Sequence, residues 1–219
     1  NINGFHVRDE KGAVHEIMRG GKKVKGNATW QLKAAERVDG YDLVLDQNVK
    51  TKNFYLWEMT NKWKFTRNYG RGQYYTDQAE YYKFEKDFKV DLNGDGTIGY
   101  KLKNIESKGN KKLFQDNING FHVRDEKGAV HEITRKGKKV KGNATWQLKA
   151  AERIGGVNLV IDQNVKSKNF YVWEMTDEWK FIRNYGGGQY RTSQDKYLQA
   201  EKDFQVDLNG DGTIGYKLK

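Results

Sequence analysis

The feature that most constrains this chain is that it is one module written twice. Asn1 to Lys103 aligns with Asn117 to Lys219 without a gap, and 82 of the 103 aligned positions are identical, so both copies must fold alike. A repeat of about 20 to 50 residues would indicate a solenoid of small units, whereas a period of 116 residues is the size of a whole domain. Two tandem domains are expected, 1–103 and 104–219. Between the copies, KNIESKGNKKLFQD (103–116) has no counterpart ahead of Asn1. Its alternating Leu113, Gln115 and Ile118, after a turn at Gly109, predict a strand or hairpin that opens the second module. The first module lacks this piece, so the sequence reads as cut from a longer array or as leaving an edge for something else to fill.

Within each copy the pattern is strands first, then one helix, which predicts an α+β, mainly β fold: a small antiparallel sheet against one C-terminal helix, followed by an EF-hand-like loop. GFHVRDEKGAVHEI reads as a hairpin turning at Glu10 to Gly12. WQLKAAERV alternates Trp30, Leu32 and Ala34 against Gln31, Lys33 and Ala35, as a half-buried strand does. Asp39-Gly40, replaced by Gly155-Gly156 in the second copy, supplies a tight turn, and YDLVL returns with Tyr41, Leu43 and Leu45 on one face. NFYLWEMT is apolar on both faces and predicts a central strand. WKFTR puts Trp63 and Phe65 inward, and GRGQ reads as a turn. TDQAEYYKFEKDFKV then shifts to a helical period, with Tyr81, Phe84, Glu85 and Phe88 as its buried stripe and Asp77 with Glu80 as its cap.

The helix runs into DLNGDGTIGY, present without change at 91–100 and 207–216. Asp91, Asn93 and Asp95 fall at positions 1, 3 and 5 of a calcium loop, with Gly96 at the sharp turn and the Thr97 carbonyl at position 7. Asp207, Asn209, Asp211 and Thr213 repeat the set. Ile98, at position 8, is expected to anchor the loop to the core. Position 12, where a bidentate Glu completes the shell, is Leu102, and Leu218 in the second copy. Glu85 or Asp87 could turn inward to supply another oxygen. Calcium is thus the expected cofactor, held weakly, while the same residues also make good metal-free turn chemistry through Asp and Asn side chains that cap their own backbone.

The chain has no cysteine, which removes disulfides, thiolate metal sites and cysteine nucleophiles. Aromatics are 13% of residues, and mean hydropathy is −0.98, so a ring-filled core lies under a highly charged surface. No apolar run is long enough to span a membrane. The net charge of +11 favours polyanionic partners. Trp63 with Lys64, and Trp179 with Lys180, are candidate ligand-binding pairs, although Trp at strand spacing beside Leu and Phe is also core material. Charge alone supports nucleic acid, and no recognition motif accompanies it. The chain contains no nucleophile elbow, phosphate loop or zinc spacing, and His15-Glu16 point to opposite faces of a strand, so no enzyme is expected.

Ile105, Glu106, Ser107, Gly109 and Leu113, then W-x-x-x-A-A-E (Trp30 to Glu36), YLWEMTNKW and the terminal DLNGDGTIG together resemble the tryptophan-rich repeat found at the C-termini of Synechocystis proteins. The resemblance covers nearly all of both modules. It implies tandem placement on large exported bacterial proteins, often beside calcium-binding repeats, and hence an extracellular or cell-surface location. From residues and resemblance together, the expected role is structural or adhesive, with modules of the same array or copies of the chain as partners. A carbohydrate- or polyanion-binding module is the alternative.

Overall fold

The computed structural model describes residues 4–216. They form two compact units, Asn1–Lys101 and Leu102–Lys219. In the first, β1 (His6–Arg8) and β2 (Val14–Glu16) make a two-stranded ribbon, and β3 (Met18–Arg19) with β4 (Lys22–Lys23) a shorter one. Then β5 (Trp30–Val38), β6 (Tyr41–Asn48), β7 (Phe54–Met59) and β8 (Phe65–Tyr74) form an antiparallel sheet in sequence order, followed by α1 (Ala79–Phe88).

The second unit opens with β9 (Leu102–Glu106) and β10 (Lys112–Asp116), the hairpin expected from the inserted segment. It joins β11 (Phe121–Arg124) and β12 (Val130–Glu132) into a sheet ordered β12-β11-β10-β9. After β13 (Thr134–Arg135) and β14 (Lys138–Lys139) come β15 (Trp146–Ile154), β16 (Val157–Asn164), β17 (Phe170–Met175) and β18 (Phe181–Tyr190), again in sequence order, and α2 (Asp195–Phe204). Both units are mainly β with small antiparallel sheets and one helix each.

The main sheet is buried on both faces because β6 and β7, and their counterparts, carry apolar residues at odd and even positions: Leu43, Val44 and Leu45 are each fully buried. In the second unit the two faces make two separate clusters. Leu148, Ala151, Val160, Trp173, Met175 and Trp179 join Leu113, Phe121, Val123 and Ile133 from the small sheet and its flank. On the other face, Ala150, Leu159, Ile161, Phe170 and Val172 meet Tyr197, Ala200 and Phe204 of α2. In the first unit, Phe54 receives the rings of Tyr81 and Phe84 from α1, at 5.0 and 6.1 Å.

The strict alternation read for β5 does not hold. A bulge between Leu32 and Ala34 skips Lys33, so Leu32 pairs with Asp46 and Ala34 with Leu45. The same bulge in β15 places Leu148 and Ala151 on one face and Ala150 on the other. A bulge adds one residue and flips the parity of everything beyond it. YDLVL is likewise buried on both faces rather than one.

Three further expectations are corrected. GRGQ is no turn between elements: it lies inside β8, where Phe54 pairs with Tyr74 but Leu56 with Tyr69, so the extra residues bow out as a wide bulge. Gly70 sits at φ +76 under the Tyr74 hydroxyl, with no room for a Cβ, and Gly186 repeats this under Tyr190. The helix cap is Gln78, with no side-chain capping bond, so Asp77 and Glu80 do not form a box. Ile98 does not anchor its loop, being 47% exposed; Leu92, at 3%, takes that place.

Candidate functional site

Glu85 is fully buried in α1 and closes the loop that follows. Its Oε1 accepts the N–H groups of Leu92 (3.0 Å) and Asn93 (3.3 Å), and its Oε2 that of Gly99 (2.9 Å). Glu201 repeats the clasp on Leu208 and Gly215, each at 3.0 Å, and on Asn209 at 3.1 Å. Burial raises the Glu85 carboxyl above the usual range, opposed by these three N–H donors. Gln47 then ties the loop to the sheet, donating to the carbonyls of Leu92 (2.7 Å) and Lys52 (2.9 Å). The expected inward turn of Glu85 therefore occurs, but its oxygens serve backbone donors, while Asp87 faces outward to Lys83 at 2.6 Å.

Inside the loop, Asp91 Oδ1 accepts Gly94 N–H (2.7 Å) and Asp95 N–H (3.2 Å), and Oδ2 accepts Gly96 N–H (2.8 Å). Asn93 Oδ1 takes Asp95 N–H at 2.8 Å, and Asp95 Oδ1 takes Thr97 N–H at 2.9 Å. Asp207, Asn209 and Asp211, the last bonded to Thr213 N–H, reproduce the set. Among the described residues no three His, Cys, Asp or Glu side chains gather as a metal cluster. Leu218 lies outside the described residues.

The tryptophans read as ligand candidates are core. Trp63 is 8% exposed and Trp179 2%, so neither ring offers a stacking face, although Lys64 and Lys180 beside them are exposed. Both tryptophans close the turn after β7 and β17 at positive φ (54° and 61°), where backbone bonds to Thr60 and Thr176 hold them.

A different aromatic and cationic site recurs in each unit. In the first, Arg19, Lys22, Lys23, Lys25, Trp30 and Asp46 line a cleft of about 360 Å³ floored by Leu32 and Trp57. In the second, Arg135, Lys138, Lys139, Lys141, Trp146 and Asp162 line one of about 310 Å³. The Arg19 guanidinium lies 4.7 Å from the Trp57 ring and 4.5 Å from Phe65; Arg135 repeats this over Trp173 (5.1 Å) and Phe181 (4.3 Å). Stacking fixes a long side chain that would otherwise lose entropy on binding. Trp30 is half-buried and leans on Tyr55 at 5.5 Å. Each cleft thus sets an arginine, two exposed lysines and one carboxylate around a half-buried indole, while the remaining lysine is already paired, Lys23 with Glu16 and Lys139 with Asp116 (2.9 Å) and Glu132 (2.7 Å). Sequence reading missed this site because Asp46 and Arg19 come from separate strands; the local signal was the basic run Arg19–Lys25.

Burial pushes the Asp46 and Asp162 carboxyls up to about 6, against the pull of Arg19 and Arg135. A raised carboxyl stabilises the fold below its ordinary value of 3.8 and loses that contribution as pH rises through about 6. Asp46→Asn/Asp162→Asn should therefore gain melting temperature relative to the unaltered chain at pH 7.5 but not at pH 4. Thermal melts at both pH values check this; an offset independent of pH would show that these carboxyls titrate normally.

No curated protein and no solved structure gives a match to the chain. The model of the tryptophan-rich Synechocystis species C-terminal domain matches residues 1–99 and again 111–215, together well over half of the chain. The chain belongs to the tryptophan-rich Synechocystis C-terminal domain family, of which it carries two tandem copies.

Proposed function

We propose that the protein is a non-catalytic adhesive module of the cell surface or extracellular matrix that holds acidic polysaccharide in its two basic clefts. The observation that carries this reading is the surplus of cations around an accessible Trp in each cleft. An indole offers an apolar face to a sugar ring. Lys22 and Lys25, both exposed, reach carboxylate or sulfate groups, and Asp46 accepts from a hydroxyl. Two sites on one chain raise avidity for a repeating polymer without any new contact. Among the described residues no helix is long and apolar enough to cross a membrane.

Retention on immobilised heparin or alginate tests the reading. The chain should bind at physiological salt, about 0.15 M, and elute as salt screens the charges. Lys22→Glu/Lys25→Glu with Lys138→Glu/Lys141→Glu should lower affinity by about tenfold or more, while the charge-matched Lys50→Glu/Lys64→Glu with Lys166→Glu/Lys180→Glu, outside both clefts, should cost little. Equal losses from the two sets would reduce binding to net charge and sink the assignment.

The second reading is that each DLNGDG loop takes calcium, with Asp91, Asn93 and Asp95 side chains and the Thr97 carbonyl as ligands, and Asp207, Asn209, Asp211 and Thr213 in the second copy. The donor chemistry suits a hard cation: Asp91 Oδ2, Asn93 Oδ1 and Asp95 Oδ1 each accept one N–H and keep a second lone pair, whereas Asp91 Oδ1 already accepts two. Two formal charges and no acid at position 12 imply weak binding, on the order of 10⁻⁴ to 10⁻³ M. The clasp by Glu85 shapes the loop without metal, so calcium would stiffen it rather than fold it. A melting temperature that climbs with calcium, and stays flat in Asp95→Ala/Asp211→Ala, is the expected result; no rise up to about 10 mM would leave the motif as a turn.

A further inference from the structure

Two carboxyls of the second unit belong to neither candidate site. Glu106 ends β9 and Glu152 lies in β15, and both are buried, at 6% and 3% exposure. They hold one hairpin turn between them. Glu106 Oε1 accepts the N–H of Lys108, and Glu152 Oε2 accepts that of Asn110 at 3.1 Å. Gly109, between those two residues, lies so close to the Glu152 carboxylate that a Cβ there would overlap it, so the turn rests directly on the acid. The second oxygen of each group, Glu106 Oε2 and Glu152 Oε1, is buried with no hydrogen-bond partner, and no other buried side-chain nitrogen or oxygen among the described residues is left so.

A carboxylate oxygen away from water and without a donor is costly, and two carboxylates beside one turn disfavour each other's ionisation. Burial, with the nearby Glu106 charge adding to it, pushes the Glu152 carboxyl up to about 6, against the pull of backbone N–H groups of the turn. Burial raises Glu106 as well, against the same kind of donors and the exposed Lys108. The other charged groups on the neighbouring elements are engaged elsewhere. Lys111 reaches Glu126 at 3.2 Å, Arg153 reaches Asp177 at 3.0 Å, and Arg124 of β11 lies 4.6 Å from the Phe114 ring. His122 and Lys139 are bonded to Asp116, and Lys112 of β10 is exposed.

We propose that Glu106 and Glu152 share one proton, which fastens the β9–β10 hairpin to β15 in mildly acidic surroundings and frees the hairpin turn when it is lost as pH rises. The carboxyl that carries the proton becomes a donor, and the unpartnered oxygen of the other accepts it, so one proton answers both buried oxygens. It belongs to the pair rather than to either residue. A carboxyl held above its ordinary value of 4.5 stabilises the closed hairpin in full below that value and loses the contribution as pH rises through about 6. This inference is independent of the polysaccharide reading, since neither residue lines a basic cleft.

The test is an NMR titration of the side-chain carboxyl carbons of Glu106 and Glu152 in the full chain, in EDTA, with amide exchange followed over the same pH range. The two carboxyls should titrate in coupled steps, the upper one near 6. Exchange rates of β9 and β10, each divided by the intrinsic rate at that pH, should show protection falling about tenfold between pH 5 and pH 8. In Glu152→Gln, whose amide cannot titrate, Glu106 should titrate in a single step and most of that fall should vanish. The titration and the exchange series on the unaltered chain decide the matter even where the variant does not fold. Two carboxyls titrating independently near the ordinary value, or hairpin protection that holds or rises with pH, overturns the proposal. So does calcium at about 10 mM driving both carboxyls to lower values, which would put a cation in place of the proton.

Discussion

Everything in this fold follows from a four-stranded sheet that must be covered on both faces. Central strands with apolar residues at consecutive positions cannot leave either side in water: Leu43, Val44 and Leu45 fill both clusters from three adjacent residues. One cover is the helix that follows the sheet. The other is the small sheet that precedes it. The bulge at Lys33 and Lys149 is what lets one edge strand serve both, because it sends Leu148 and Ala151 to one side and Ala150 to the other.

The two candidate sites are by-products of how each cover is fastened. On the helix side, a buried Glu on the last turns reaches three backbone N–H groups beyond the helix, so the polar loop is pinned by a carboxylate bonded to backbone donors. Such charge-assisted bonds are among the stronger ones in proteins. On the opposite side, the short β3–β4 ribbon crosses the end of the sheet and leaves a gap between its lysines and Trp30. Arg19, stacked on Trp57 and Phe65, bridges ribbon and sheet and forms one wall of that gap. Attachment of the cover and creation of a cationic cleft are the same structural event.

Much of this was legible in the sequence. The hairpin turn at Asp39-Gly40, with Val38 opposite Tyr41, the central strand Phe54–Met59, the helix stripe through Tyr81 and Phe88, and the β9–β10 hairpin each follow from local periodicity and turn chemistry. What failed had nonlocal causes. A bulge reads as continued alternation, because Lys33 is polar whether it lies in the pleat or outside it. Trp63 looked like a ligand platform because strand spacing does not reveal that it sits in a turn at positive φ, folded back onto the core. The clefts needed Asp46, Arg19 and Trp30 brought together from three strands, which no single window contains.

The central claim is that, among the described residues, near-identical strands owe different protection to the β9–β10 hairpin that covers the sheet of the second unit. Amide hydrogen exchange on the intact chain, resolved by residue, tests it most directly, since each strand of β5–β8 has its near-identical counterpart in β15–β18 as an internal control. The account predicts that amides of β1 and β5 exchange faster than those of β11 and β15. Equal protection in the two units, or slower exchange in β1 and β5, would contradict it.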